Sequence, residues 1–201
     1  GEENGKMKTE AATSPITIQQ LASHTSGLSY SFIPGPVGAM YIAEEAERGL
    51  GNIPSAGGML FPEGTKPPFS NLREWTKALA ELPLVAQPGT VWNYSVGMDV
   101  MGALIEELAG MTFGDFLQKR IFGPLGMEDT GFMVPKEKLN RFSANYSPVP
   151  DNMMLTDDPE KSGYRTPPQL ESGGGGLVST VGDYLKFAQM LLNKGEYEGK
   201  R

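Results

Sequence analysis

Pro88-Gly89-Thr90-Val91-Trp92-Asn93-Tyr94-Ser95 runs straight into a helical pattern from Val96 to Leu108, and this junction carries most of the information in the chain. Met101, Leu104, Ile105 and Leu108 recur at i, i+3, i+4 and i+7. That spacing predicts one apolar helix face, with Gly110 as its C-cap. Tyr94 is therefore expected at a helix start beside a loop. Two readings are open for it: a proton acceptor, if cations depress its pKa, or an ordinary packing tyrosine.

Working outward, residues 1–14 are polar and read as a solvated lead-in. Thr17-Ile18-Gln19-Gln20 has the capping-box pattern, with Ile16 and Leu21 as a hydrophobic staple and Gly27 as the stop. The many Pro and Gly of residues 34–70 leave room for one short helix, Tyr41 to Arg48. Asn71 opens the next helix, with Leu72, Trp75, Leu79 and Leu82 on one face and Pro83 ending it. Beyond the central junction, Thr112 to Asp115 is another capping pattern. Phe113, Phe116, Leu117 and Ile121 are expected inward there, and Gly123-Pro124 is the expected break. Prolines from Pro135 to Pro168 confine the following stretch to short strands and loops. Thr180 caps a last helix with Tyr184, Phe187, Ala188 and Leu191 inward and Gly195 as its end. Connections as long as 49–70 and 133–172 tend to line sites.

Composition excludes several classes. A length of 201 residues corresponds to about one domain. Lys and Arg number 17 against 24 Asp and Glu, a net charge of −7, and the cations form no basic run, which argues against a nucleic-acid partner. With no cysteine there is no disulfide scaffold, thiolate zinc cluster, iron–sulfur site or thiol nucleophile. A single histidine excludes a multi-histidine metal site. No metal and no cofactor is expected. No apolar run approaches the roughly 20 residues of a membrane span, and the polar Gly1 to Glu10 is not a signal peptide. Cysteine-free chains occur in cytosol and periplasm alike, so composition assigns no compartment.

Other candidates for chemistry reduce to ordinary roles. Gly173 to Gly176 is followed by no Gly-Lys-Ser/Thr, so the run reads as backbone packed against a neighbour, not as a phosphate loop. Asp157-Asp158 lacks the further oxygen ligands of a calcium site and reads as a solvated turn. His24, near the end of a short helix, reads as a structural histidine bonding backbone groups. No Gly-x-Ser-x-Gly elbow occurs.

Four segments in order carry a family resemblance. They are His24-Thr25-Ser26-Gly27-Leu28; Pro88-Gly89-Thr90 with Tyr94-Ser95 and the helix to Gly110; Ile121-Phe122-Gly123-Pro124-Leu125-Gly126-Met127; and Gly174-Gly175-Gly176-Leu177-Val178-Ser179-Thr180. Together, over about residues 16–195, they resemble the serine β-lactamase-like hydrolases: class C β-lactamases, D,D-peptidases and family VIII carboxylesterases. The resemblance implies an α+β, transpeptidase-like fold of which this chain covers mainly the helical region. It implies a serine nucleophile in a Ser-x-x-Lys motif, a Tyr-x-Asn motif whose tyrosine shuttles the serine's proton, and a Lys/His-x-Gly motif on a sheet strand. Tyr94 carries over as that tyrosine, with the lysine's charge favouring its phenolate form. Val96 stands where lactamases and peptidases carry asparagine, which tilts the expectation toward esters. Leu28, Tyr30 and Phe32 resemble the loop lining one wall of the cleft, with Tyr30 and Phe32 equally open to ordinary loop packing.

The departures are as informative. Ser14, Ser23, Ser26 and Ser29 are followed three places on by Thr17, Ser26, Ser29 and Phe32, and no later serine has lysine there. No Lys/His-x-Gly motif lies downstream of Gly176. Residues 1–201 are therefore expected to be the central part of one hydrolase domain, completed by remaining parts of the same enzyme. The expected activity is hydrolysis of short acyl esters through an acyl-enzyme. The rival readings are a β-lactamase or D,D-peptidase, and a non-catalytic binding protein if 201 residues is the whole gene product.

Overall fold

The structure, a computed structural model, describes residues 2–3, 6–48 and 69–200. Most of the expected 49–70 connection lies outside the described residues. Short antiparallel strands β1 (Glu2–Glu3) and β2 (Lys6–Met7) pair at the start of the chain. Then come helices α1 (Ile18–Ala22), α2 (Pro36–Arg48), α3 (Leu72–Leu79) and α4 (Gly97–Ala109). Next, α5 (Phe113–Leu117) winds through a π-helical turn (Gln118–Phe122) into α6 (Gly123–Leu125). The hairpin of β3 (Asn145–Val149) and β4 (Asn152–Asp157) follows, and α7 (Val181–Leu192) comes last.

The helix starts follow their capping residues. The Thr17 hydroxyl accepts from the Gln20 amide at 3.2 Å while the Thr17 amide donates to Gln20 Oε1 at 2.9 Å, which closes the capping box. Asn71, Thr112 and Thr180 accept from the amides of Glu74, Asp115 and Asp183 at 2.9, 3.1 and 3.2 Å. The expected α2 start moves from Tyr41 back to Pro36, because proline at the first helical position loses no intrahelical bond. Helix α1 ends at Ala22, well before Gly27, with the Ser23 amide donating to the Gln19 carbonyl and His24 taking a left-handed φ of 54°.

The break expected at Gly123-Pro124 falls at Gly126, whose φ is 65°. The π turn explains the delay. Gly123 donates its amide to the Gln118 carbonyl five residues back, and a Cβ there would stand 2.9 Å from that oxygen. Glycine makes the turn possible, and Pro124 follows in the first turn of α6, where its missing amide costs nothing.

The main core gathers Leu72, Trp75 and Leu79 of α3 against Leu21, Val96 and Phe113. As the spacing predicted, Leu72, Trp75, Leu79 and Leu82 are all buried. For α4 the fully buried residues are Gly97, Asp99, Gly102 and Ala103; of the expected face, Met101 and Ile105 pack half-buried against the core and Leu108 is exposed. Close approach decides this, since a Cβ on Gly102 would lie 3.3 Å from Leu72 Cδ1 and Phe113 Cδ1.

A second cluster joins Phe122, Leu125 and Met127 to Phe187 and Met190 of α7. Tyr184, Ala188 and Leu191, expected inward, face out. The buried Asp183 turns α7 the other way, accepting from the Asp129 amide at 2.7 Å and the Thr130 hydroxyl at 3.0 Å. Lys186 reinforces that side by donating to the Gly126 carbonyl and pairing with Asp183.

Candidate active site

Tyr94 lies on the extended segment that feeds α4, and the chain after α1 pins that segment in place. The Asn93 amide donates to the His24 carbonyl at 2.8 Å, and Asn93 Nδ2 donates to the Leu28 carbonyl at 2.7 Å. The Ser95 amide donates to His24 Nδ1 at 3.3 Å, and the Val96 amide to the Ser29 carbonyl at 3.3 Å. His24 thus serves a structural purpose, bonding backbone as its position suggested. Gly27, at φ 85°, and Gly89, also at 85°, let the two loops close on each other, with the Gly89 amide donating to the Thr25 carbonyl at 2.7 Å.

Around Tyr94 the rings form one patch. His24 lies 4.8 Å from the Tyr94 ring centroid and Tyr30 5.1 Å. Phe32 stacks on Tyr30 at 4.8 Å, and Trp92 lies parallel to Tyr94 at 6.5 Å. Exposure grades across the patch: Trp92 is 65% exposed, Phe32 61% and Tyr94 41%, whereas Tyr30 is buried. Of the residues expected to form the site, Tyr30, Phe32 and Tyr94 therefore come together, Phe32 and Tyr94 at the surface and Tyr30 covered. Leu28 and Val96 do not join them. Both side chains turn into the core beneath, and Val96 is completely covered.

Below the patch lies a carboxylate that sequence reasoning missed. Asp99, in the first turn of α4, is buried. Its Oδ1 accepts from Ser172 Oγ at 2.7 Å and from the Gly174 amide at 3.1 Å. Burial holds its pKa above the ordinary carboxylate value in spite of these donors. The glycine run packs here as backbone: a Cβ on Gly174 would stand 2.6 Å from the Tyr30 hydroxyl and 2.9 Å from Asp99 Oδ2. Burial, the Asp99 charge and the neighbouring Tyr94 hydroxyl together hold Tyr30 well above the ordinary tyrosine range, so it stays protonated. Trp92 was also missed. Its signal was available, because residues two apart on an extended segment share a face.

Chemically, the arrangement offers a half-exposed phenol beside a buried protonated one, walled by apolar rings. Among the described residues no group of three or more His, Cys, Asp or Glu is placed to hold a metal ion. No helix among them is long and apolar enough to cross a membrane.

Known proteins share this chain's family and fold. A family model described as Beta-lactamase matches residues 7–201. An uncharacterized protein of Mycobacterium tuberculosis is 34% identical over 195 residues, covering 96% of this chain and 43% of its own length. A lovastatin esterase of Penicillium rubens is 32% identical over 180 residues, covering 89% of this chain and 40% of its own. Among solved structures, EstCE1, described as a hydrolase with promiscuous acyltransferase activity, superposes with a TM-score of 0.67 at 24% identity. That match covers 93% of this chain and 48% of EstCE1 and shows a shared fold. The chain thus spans less than half the length of the curated relatives it matches.

Proposed function

This chain belongs to the β-lactamase family, and from that premise we propose that it supplies the tyrosine side of the active site of a serine hydrolase cleaving short acyl esters. The serine and lysine of the Ser-x-x-Lys motif lie outside residues 1–201 in this reading, as does the Lys/His-x-Gly strand. The observation that carries it is the placement of Tyr94: a half-exposed phenol at the head of α4, on a backbone bonded from His24 to Ser29.

The reaction proceeds in two halves. Serine Oγ attacks the ester carbonyl carbon and its proton passes to the Tyr94 oxygen, which in the complete site the charge of the motif's lysine would hold as phenolate. The tetrahedral adduct collapses, the C–O bond to the alcohol breaks, and the departing alkoxide takes the proton from Tyr94. Water then attacks the acyl-enzyme, gives its proton to Tyr94, and serine leaves with that proton restored. Phe32, with Tyr30 behind it, lines the side of the cleft that receives the acyl or aryl group. Leu28 and Val96 support that wall from below. The relative named lovastatin esterase supports esters over lactams.

Tyr94→Phe in the full-length protein is expected to reduce kcat on p-nitrophenyl butyrate by about 10²–10⁴-fold, the usual contribution of general acid–base catalysis. A wild-type rate removes Tyr94 from the mechanism. Turnover of nitrocefin exceeding that of the ester would assign a lactamase instead. Failure of the native protein to react with a fluorophosphonate would assign a non-catalytic binder.

A further inference from the structure

Tyr94 is held at three points by one residue from the turn after α1. The His24 carbonyl accepts the Asn93 amide at 2.8 Å, and His24 Nδ1 accepts the Ser95 amide at 3.3 Å. Those amides flank Tyr94 in the chain, so the backbone and the side chain of His24 bracket it. The imidazole also lies against the Tyr94 ring, with centroids 4.8 Å apart and planes inclined by 53°. His24 makes these contacts from a left-handed φ of 54°, a conformation uncommon for a residue with a side chain. Such a backbone persists where its surroundings over-determine it, and it clusters at functional sites.

The side-chain bond is the specific one. Ser95 has no exposed surface, and its amide has no other acceptor among the described residues. A buried amide without a partner is destabilising, so an acceptor is required at this point. Ser95 Oγ lies 3.3 Å from the same Nδ1 and accepts the Gly97 amide at 3.4 Å, which ties the first residue of α4 into the same group. Accepting at Nδ1 places the proton of the neutral ring on Nε2.

We propose that His24 is a positioning residue for the catalytic tyrosine: its carbonyl and its Nδ1 hold the amides on either side of Tyr94 and so fix the phenol where the serine proton arrives. His24 neither takes nor gives a proton in the reaction. This rests on the reading of Tyr94 as the proton acceptor. To that reading it adds a side chain whose acceptor atom, not its bulk, sets kcat.

The test compares three variants of the full-length protein in p-nitrophenyl butyrate hydrolysis, with kcat and KM measured separately. His24→Asn puts an amide oxygen where Nδ1 stands and tolerates the left-handed backbone, so kcat should stay within about threefold of wild type. His24→Phe keeps a ring beside Tyr94 but accepts nothing, and kcat should fall about tenfold. His24→Gly suits the backbone and also accepts nothing, and a similar fall is expected. KM should stay within about twofold in all three, because Phe32 is untouched. Imidazole nitrogen NMR of the wild-type protein at alkaline pH, with the His24 signals identified by their loss in the variants, should show the Nε2–H tautomer.

Equal kcat for His24→Phe and His24→Asn, or a His24 proton on Nδ1, overturns the proposal. A rise in KM with kcat kept assigns the ring to substrate lining and also overturns it. If Tyr94→Phe abolishes turnover while no change at position 24 lowers kcat, the proposal for His24 falls and the reading of Tyr94 stands. A wild-type rate for Tyr94→Phe, or a wild-type protein without ester turnover, overturns both.

Discussion

At the scale of single residues, two carboxylates show how environment decides a titration. Burial raises Asp99 above its ordinary value of 3.8 even though Ser172 and Gly174 donate to it. Hydrogen bonds from Arg141 and Lys138 hold Asp129 down at about 2. The signs of their effects on stability are opposite. Above 3.8 the unfolded chain releases the Asp99 proton that the folded chain keeps, so this group's contribution falls as pH rises through that window. For Asp129 the folded chain is the more readily ionised. Its contribution is present above 3.8 and is lost as pH falls toward about 2. Urea midpoints measured across pH should show Asp99→Asn flattening the decline on the neutral side, and Asp129→Asn flattening the decline on the acid side. An unchanged slope in either variant removes that group from the account. The position of Tyr94 at the head of α4 and the backbone bonding of His24 were legible at this scale because helix-start chemistry is local. Asp99 was not, because its partners lie 73 and 75 residues away.

At the scale of elements, capping decides where helices begin. Thr17, Asn71, Thr112 and Thr180 were readable from the chain because each bonds an amide three residues on. Asn71→Ala is expected to cost about 1 kcal/mol in urea unfolding, and Asn71→Gly only a few tenths. An unchanged midpoint for Asn71→Ala would show that the Asn71 side-chain bond contributes nothing. Helix ends and buried faces were less legible. The π turn at Gln118–Phe122 carries the helix past Pro124, and the small residues Gly102 and Ala103 take the inner face of α4. Apolar periodicity marks a stripe that wants cover, but closeness of approach selects which residues obtain it.

At the scale of the whole molecule, the outer face of α7 stands out. Val181 is 88% exposed, and Tyr184, Leu185, Leu191 and Leu192 are exposed beside it. Relatives more than twice as long as this chain have further structure available to cover such a face. In the proposed full-length enzyme, Leu185→Asp is therefore expected to lower stability by about 2 kcal/mol, the value of one buried leucine. The same change in residues 1–201 alone should leave their stability nearly unaltered. Equal effects in both settings would show that nothing covers α7.

The amino-acid sequence by itself determined the helix starts, the positive-φ glycines at Gly110 and Gly195, the α3 face built on Leu72, Trp75 and Leu79, and the resemblance that singled out Tyr94. Each depends on hydrogen bonds or side-chain spacing within a few residues. Only the tertiary structure decided that Tyr30 and Phe32 flank Tyr94 while Leu28 and Val96 sink beneath it, and that Asp99 holds the glycine loop. Those outcomes join segments far apart in the chain. They follow from which backbones can approach closely enough for a carboxylate, a phenol and a bare glycine to share one buried space.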